Sequence, residues 1–191
     1  MKFNARYLLI LCLILACSIG FGLAFDAICT AVEYKNHPRP EEFAPTVANC
    51  AASFGVPENI LWAAILCESD FQSNKRADNG AIGLLQITPA RLDTVCREVL
   101  SEPTPDVGIL YDPATNLRIG TAEISHLYQK YGSWEGVFAA RFAGTAQTDL
   151  WCADPDCLDD RGMLSSIPDK ATAAFVSRVL DAARLYTELY Y

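Results

Sequence analysis

The chain has 191 residues and a formal net charge of −8 at pH 7. This length suits one domain with a short additional segment, and it is sufficient to bury a hydrophobic core. The acidic charge excludes a typical nucleic-acid-binding protein, because counterion release from phosphates requires clustered lysine and arginine.

The N-terminus has the pattern of an export signal. A short basic start precedes an almost unbroken apolar stretch, residues 8–25, and small residues precede Phe25. The pattern predicts a signal peptide over residues 1–24 that is cleaved before Phe25, and therefore a periplasmic or secreted protein. Two alternatives stay open. Eighteen apolar residues are the lower limit for an uncleaved membrane anchor, and Cys17 lies in a loose lipidation motif.

The apolar spacing predicts an all-α or mainly α fold, with at most a small hairpin near residues 76–88. Residues 25–40 are predicted to be irregular, and residues 41–191 to form the domain. Glycines and prolines set the helix ends. In chain order, the predicted helices cover residues 41–54, 58–69, 89–100, 113–131, 134–143 and 168–189, with a surface loop over residues 149–166.

Cysteine usage fits an exported protein. The chain has eight cysteines, of which six follow the predicted signal. An even number in an exported chain indicates disulfides rather than metal ligands. No paired CxxC spacing occurs and there are two histidines, so no metal site is predicted. Proximity along the chain favours the pairs Cys29–Cys50, Cys67–Cys96 and Cys152–Cys157.

A carboxylate ends the most apolar predicted helix. Residues 60–67 are apolar on all sides of the helix, which indicates burial in the core, and Glu68 follows them. A carboxyl group beside buried apolar surface is a candidate general acid. On this helix alone, the simpler interpretation is that Glu68 marks where the helix reaches water.

The residues after Glu68 change that interpretation. Glu-Ser-Asp-Phe at residues 68–71 is followed by Gly-Ala-Ile-Gly-Leu-Leu-Gln-Ile at residues 80–87. This arrangement resembles the catalytic domain of the soluble lytic transglycosylases, which belong to the lysozyme-like superfamily and are related to goose-type lysozyme. Residues 110–120 and 167–180 resemble two further motifs of that family, in the same order. The resemblance covers residues 45–186.

The resemblance implies a reaction on peptidoglycan that uses one glutamic acid and neither cofactor nor metal. Glu68 would protonate the glycosidic oxygen between N-acetylmuramic acid and N-acetylglucosamine. Its carboxylate would then take the proton from the 6-hydroxyl of the muramic acid, which closes a 1,6-anhydro ring without water.

The resemblance also implies substrate contacts. Ser69 and Gln86 would position the catalyst and the glycan. Gly80 and Gly83 would let the backbone pass close to the sugar, although both also suit plain turns.

Four positions depart from the family pattern. Ala77 and Thr88 stand where the family has Ser and Met, and Arg141 and Phe142 replace a cleft-facing Tyr and an Asn. Phe142 would line the substrate site. Arg141 would either contact a carboxylate of the peptide stem or pair with Glu68.

Two other functions remain open at this stage. A hydrolase would use water oriented by Asp70 or Asp78, and a wall-binding protein would keep the groove without turnover. The expected partner is peptidoglycan, with a secretion or conjugation apparatus or general wall turnover as the setting. The protein is expected to be a monomer that meets the membrane only through an uncleaved N-terminal segment.

Overall fold

The computed structural model describes residues 5–191, and side chains are described at Leu15 and from Cys17 onward. Residues 1–4, which contain Lys2 from the basic start of the predicted signal, lie outside the described residues. The chain divides into two units after Pro38, and each is described by itself.

The N-terminal unit is one long helix, α1 (Ala5–Asn36). The prediction that residues 25–40 are irregular is therefore wrong for residues 25–36. No glycine or proline interrupts the chain between Leu23 and His37, so nothing in this stretch ends the helix. By length and composition, Cys17–Asn36 could cross a membrane. Cleavage before Phe25 stays a prediction.

Seven helices form the unit from Arg39 to Tyr191, so the predicted mainly α fold is confirmed. They are α2 (Ala44–Phe54), α3 (Glu58–Ser69), α4 (Pro89–Thr94), α5 (Pro113–Tyr131), α6 (Trp134–Ala143), α7 (Thr145–Ala153) and α8 (Lys170–Tyr190). A π-helical turn, Val95–Val99, follows α4, and 3₁₀ turns cover Val107–Tyr111 and Pro155–Cys157.

The region after α6 differs from the prediction. Gly144 has φ +90°, which separates α6 from α7 within one residue. The predicted loop over residues 149–166 therefore begins inside a helix. Thr148 and Trp151, three residues apart on one side of α7, are buried and attach it to the domain.

Helix α3 lies at the centre of the domain. It packs against α2 and α8, and every side chain from Leu61 to Ile65 is fully buried. This explains why its sequence is apolar on all sides rather than along one stripe. The helix ends where Asp70 adopts a left-handed conformation with φ +53°, so Glu68 lies in its last turn.

Asn116 of α5 organises the irregular segment between α3 and α4. Its side chain is fully buried. Its Oδ1 accepts a hydrogen bond from the Leu85 backbone N–H at 2.8 Å, and its Nδ2 donates to the carbonyls of Ile82 and Leu110 at 2.9 and 3.0 Å. Isolated antiparallel bridges join Ile82 to Arg76 and to Ile87, in place of a regular hairpin.

The three predicted disulfides are not present. All six cysteines of the predicted pairs, among the described residues, are free thiols. The Cys67 thiol faces the Arg178 carbonyl of α8 at 3.8 Å. Cys96 is buried in the π-helical turn, so the two thiols face different neighbours. Burial raises the pKa of both Cys67 and Cys96.

Candidate active site

The C-terminal end of α3 opens into a groove of about 390 Å³. Glu68 is the one carboxylate among the described residues that line it, whereas several cations do so. The groove is lined by Cys67, Glu68, Lys75, Ala77, Asn79, Ala81, Gln86, Arg91, Arg141, Phe142, Phe175 and Arg178.

Glu68 is held by Arg141 of α6 in a bidentate ion pair. Arg141 Nε donates to Glu68 Oε1 at 2.9 Å, and Arg141 Nη2 donates to Oε2 at 2.8 Å. The side chains are 7% and 1% exposed, so the pair is almost entirely removed from water. Of the two roles predicted for Arg141, the structure shows pairing with Glu68. The apolar surroundings expected for this carboxylate are replaced by a guanidinium.

The ion pair continues into the domain through Glu123 of α5. Arg141 Nη1 donates to Glu123 Oε2 at 2.5 Å, and Arg91 Nε donates to Glu123 Oε1 at 2.5 Å. Burial opposes ionisation of Glu123, but Arg91 and Arg141 outweigh it and hold its pKa below the usual value. Burial also opposes the charged form of Arg141, which lowers its pKa, but Glu68 and Glu123 outweigh burial and raise the pKa of Arg141. We call Glu68, Arg141, Glu123 and Arg91 the charge chain.

Backbone carbonyls fix the two arginines of the charge chain. Arg141 Nη2 also donates to the Leu85 carbonyl at 2.8 Å, and Arg91 Nη1 donates to the Gln86 carbonyl at 3.2 Å. Thr88 is the N-cap residue of α4, and its hydroxyl accepts a hydrogen bond from the Arg91 backbone N–H at 3.3 Å. The departure from the family pattern at Thr88 thus helps to place Arg91.

The sequence prediction missed Glu123 and Arg91. A signal for Glu123 does exist, because it lies four residues after Ile119 and four before Leu127, both in the core. A charged residue at core spacing in a predicted helix indicates a buried partner of opposite charge. The sequence does not reveal which arginine that partner is.

Two residues predicted to bind substrate are placed elsewhere. Ser69 is fully buried and its hydroxyl donates to the Ile65 carbonyl at 3.0 Å, so it bonds within its own helix rather than to a glycan. Gly83 has φ +81°, and a Cβ there would lie 2.1 Å from Asn116 Nδ2. The close approach that requires this glycine is made by a protein side chain, not by a sugar.

Gln86 and Phe142 line the groove, and their contact with substrate stays a prediction. Gln86 has φ +38° and its Nε2 donates to the Gly83 carbonyl at 2.7 Å. Phe142 is half exposed and stacks on Phe175 of α8, with ring centroids 4.9 Å apart. The open face of this aromatic pair suits the apolar face of a sugar ring. Ala77 also lines the groove and offers no polar group there.

The groove is cationic although the chain is acidic. Lys75 Nζ donates to the Glu68 backbone carbonyl at 2.7 Å, and the exposed Arg178 lies on the opposite helix, α8. Asp70 and Asp78 are both exposed and lie outside the described lining of the groove.

Comparison with known proteins agrees with this geometry. The family described as the Transglycosylase SLT domain matches residues 46–161, more than half of the chain. The chain belongs to this family.

Curated relatives of the SLT-family chain are transglycosylases. It is 29% identical over 128 residues to the soluble lytic murein transglycosylase of Escherichia coli (strain K12). The matched stretch covers 65% of this chain and 20% of that protein. It is 33% identical over 98 residues to the membrane-bound lytic murein transglycosylase E of Buchnera aphidicola, which covers 51% of this chain and 44% of that protein. The chain thus spans about a fifth of the first relative and less than half of the second.

Solved structures show the same fold. The 70 kDa soluble lytic transglycosylase of E. coli superposes with a TM-score of 0.71 at 26% identity, covering 82% of this chain and 25% of that one. An inactive glutamate-to-glutamine mutant of the lytic transglycosylase Slt from Pseudomonas aeruginosa gives a TM-score of 0.69 at 26% identity, covering 78% and 25%.

Proposed function

We propose that this SLT-family domain is a peptidoglycan lytic transglycosylase in which Glu68 is the single catalytic acid and base. The observation that carries the proposal is the position of Glu68. It is the one carboxylate in the described lining of a groove that also presents an aromatic pair, Phe142 and Phe175. The inactive glutamate-to-glutamine mutant of the P. aeruginosa enzyme agrees with a mechanism that depends on one glutamate.

The proposed reaction uses one carboxyl group twice, first as an acid and then as a base. Protonated Glu68 donates its proton to the glycosidic oxygen as the bond from the muramic acid C1 breaks, which releases N-acetylglucosamine with a free 4-hydroxyl. The 6-oxygen of the muramic acid then bonds to C1, and the Glu68 carboxylate takes the hydroxyl proton. The donated proton stays on the 4-hydroxyl of the released N-acetylglucosamine, and the proton taken from the 6-hydroxyl restores protonated Glu68, so the step needs neither water nor a second carboxylate.

Hydrolysis is the weaker alternative. A second carboxylate is normally needed to activate water in an inverting enzyme or to attack the sugar in a retaining one. The two candidates, Asp70 and Asp78, are exposed and outside the described lining of the groove. A binding protein without turnover is favoured by one specific contact, the ion pair that engages both oxygens of Glu68.

Mass spectrometry of muropeptides released from purified sacculi tests the proposal. The expected products are lighter than hydrolysed ones by the mass of one water, because ring closure replaces water addition. Reducing-end products would identify a hydrolase instead. If a control transglycosylase releases muropeptides and this protein releases none, the binding-protein alternative is correct.

The variant Glu68→Gln tests the assignment of the catalyst. General acid and base catalysis contributes roughly 10²–10⁴-fold to rates, so the turnover rate should fall by a factor of at least about 10². The variant should keep the helical circular dichroism spectrum, because the amide occupies the same space. Glu188→Gln, an exposed change at the end of α8, is the matched control and should retain full activity. More than a tenth of the activity left in Glu68→Gln would remove Glu68 from its assigned role.

We further propose that the protein is exported and that α1 serves as its signal or its membrane anchor. The support is the apolar Cys17–Asn36 segment, whose described side chains are largely exposed. The intact mass of the protein recovered from the periplasm distinguishes the alternatives. Cleavage before Phe25 removes residues 1–24, an anchor keeps them, and lipidation at Cys17 adds acyl mass.

A further inference from the structure

The charge chain connects the groove to a second cavity. Arg91 lines both the groove and a second cavity of about 370 Å³, and Glu123 lines that second cavity. The charges alternate in sign from Glu68 to Arg91 and come from four different helices, α3, α6, α5 and α4. Glu123 is shared by two arginines, whereas Glu68 has Arg141 alone as its ion-pair partner among the described residues.

The charge chain is neutral only when Glu68 is ionised. Two arginines then balance two carboxylates. A proton on Glu68, which the proposed reaction requires, leaves one uncompensated positive charge at a site where the Arg141 side chain is 1% exposed. Uncompensated buried charge is costly, so the charges around Glu68 bear on the first step of the proposed reaction.

The other groups around Glu68 are also cationic or neutral. Cys67 precedes it on α3, Lys75 contacts its backbone carbonyl from the loop after α3, and Arg178 faces the groove from α8. None of these donates to the Glu68 carboxylate oxygens in the described structure, where both are bonded to Arg141. Arg141 is therefore the member of the charge chain that contacts the Glu68 carboxylate directly.

We propose that Arg141 controls the protonation of the catalyst and that Glu123 and Arg91 are positioning residues that tune this control. Glu123 shares the positive charge of Arg141 with Glu68, and Arg91 shares the negative charge of Glu123 with Arg141. Because the charges alternate, neutralising each residue in turn should change the protonation of Glu68 in a defined direction. The consequence for catalysis rests on the proposed function, but the protonation of Glu68 does not.

The charge chain predicts opposite shifts for two neighbouring variants. Glu123→Gln leaves Arg141 to Glu68 alone and gives the charge chain one extra positive charge, so Glu68 should bind its proton only at lower pH. Arg141→Gln removes the opposing cation, so Glu68 should bind its proton at higher pH. A charge at ion-pair distance moves a titration by roughly one pH unit or more. A purely structural role for the two residues gives no reason for opposite signs.

Carboxyl-carbon NMR of protein labelled at glutamate measures this directly. The Glu68 resonance is assigned by its absence in Glu68→Gln, and its titration midpoint is followed without substrate. Glu102→Gln and Arg118→Gln, which break a salt bridge whose side chains are 47% and 41% exposed, are the matched controls and should leave the midpoint unchanged. Midpoints that move in the same direction in Glu123→Gln and Arg141→Gln, or that do not move, overturn the proposal.

Two further measurements complete the test. If Glu123→Gln does not fold, Arg91→Gln replaces it, because Arg91 is partly exposed at 23%. That change frees Glu123 for Arg141 and should move the midpoint upward, as Arg141→Gln does, and a downward or absent shift overturns the proposal. In active variants, the alkaline limb of the pH–rate profile should move in the same direction as the NMR midpoint. The NMR result stands even if the sacculus assay shows no turnover, so the two proposals fail separately.

Discussion

The two ends of α3 each carry a glutamate paired with an arginine, in different environments. At the N-terminal end, Arg39 contacts Glu58 through one hydrogen bond of 3.0 Å, with side chains 23% and 28% exposed. At the C-terminal end, Arg141 donates a hydrogen bond to each carboxylate oxygen of Glu68, and the two side chains are 1% and 7% exposed. The Arg39 guanidinium also lies 5.0–5.3 Å from the ring centroids of Trp62, Tyr190 and Tyr191.

The difference in burial gives the two ion pairs different roles. A partly solvated ion pair is worth about 0–1 kcal/mol, so Arg39 holds α3 to the end of α8 mainly through its aromatic contacts. A buried pair gains little net stability over an apolar replacement, but removal of one partner leaves a costly unpaired charge. The charge chain therefore makes the stability of the domain sensitive to substitutions at the end of α3 that carries Glu68.

The largest expected effect comes from breaking the buried end. Arg141→Leu should lower the free energy of unfolding by about 3–5 kcal/mol, because Glu68 loses its partner and Glu123 keeps only Arg91. Urea denaturation followed by circular dichroism measures this loss. A value within 1 kcal/mol of the wild type would mean that the charge chain is not formed in solution.

Acid should remove the stabilisation that Glu123 contributes at the buried end. The pKa of Glu123 is lowered in the folded protein, whereas in the unfolded chain it takes the ordinary glutamate value of about 4.3. The unfolded state therefore binds more protons, and the stabilisation is fully present above the ordinary value and lost as pH falls through the folded value. Urea denaturation between about pH 5 and pH 2 should show this loss. In Glu123→Gln the free energy of unfolding should fall less steeply with decreasing pH than in the wild type. An equally steep fall would exclude Glu123 as its source.

The smallest effect is expected at the exposed end. Arg39→Leu should cost about 1 kcal/mol, because it removes a partly solvated ion pair and cation–π contacts but leaves the aromatic side chains packed. The same urea denaturation measures it. Transglycosylase activity should remain near that of the wild type, since Arg39 does not line the groove. A larger loss than that of Arg141→Leu would reverse the comparison between the two ends.

The sequence by itself determined the helices that build the site. The predicted bounds of α3, α5 and α6 are confirmed to the residue. Each has a clear apolar pattern and ends at a residue with positive φ or at a glycine, and both signals act within a few residues of chain. The same local order placed Glu68 in the last turn of α3. The expectation for Gln86, which lines the groove, came from the family resemblance.

Only the tertiary structure decided which groups surround Glu68. Spacing along one helix follows from its 3.6-residue repeat, but contacts between helices depend on how their faces pack. The charge chain joins four helices, so no local pattern shows that Arg141 meets both Glu68 and Glu123. For the same reason the inward turn of Ser69 and the contact of Gly83 with Asn116 could not be predicted. Packing between elements, rather than order along the chain, determines which charged groups surround Glu68.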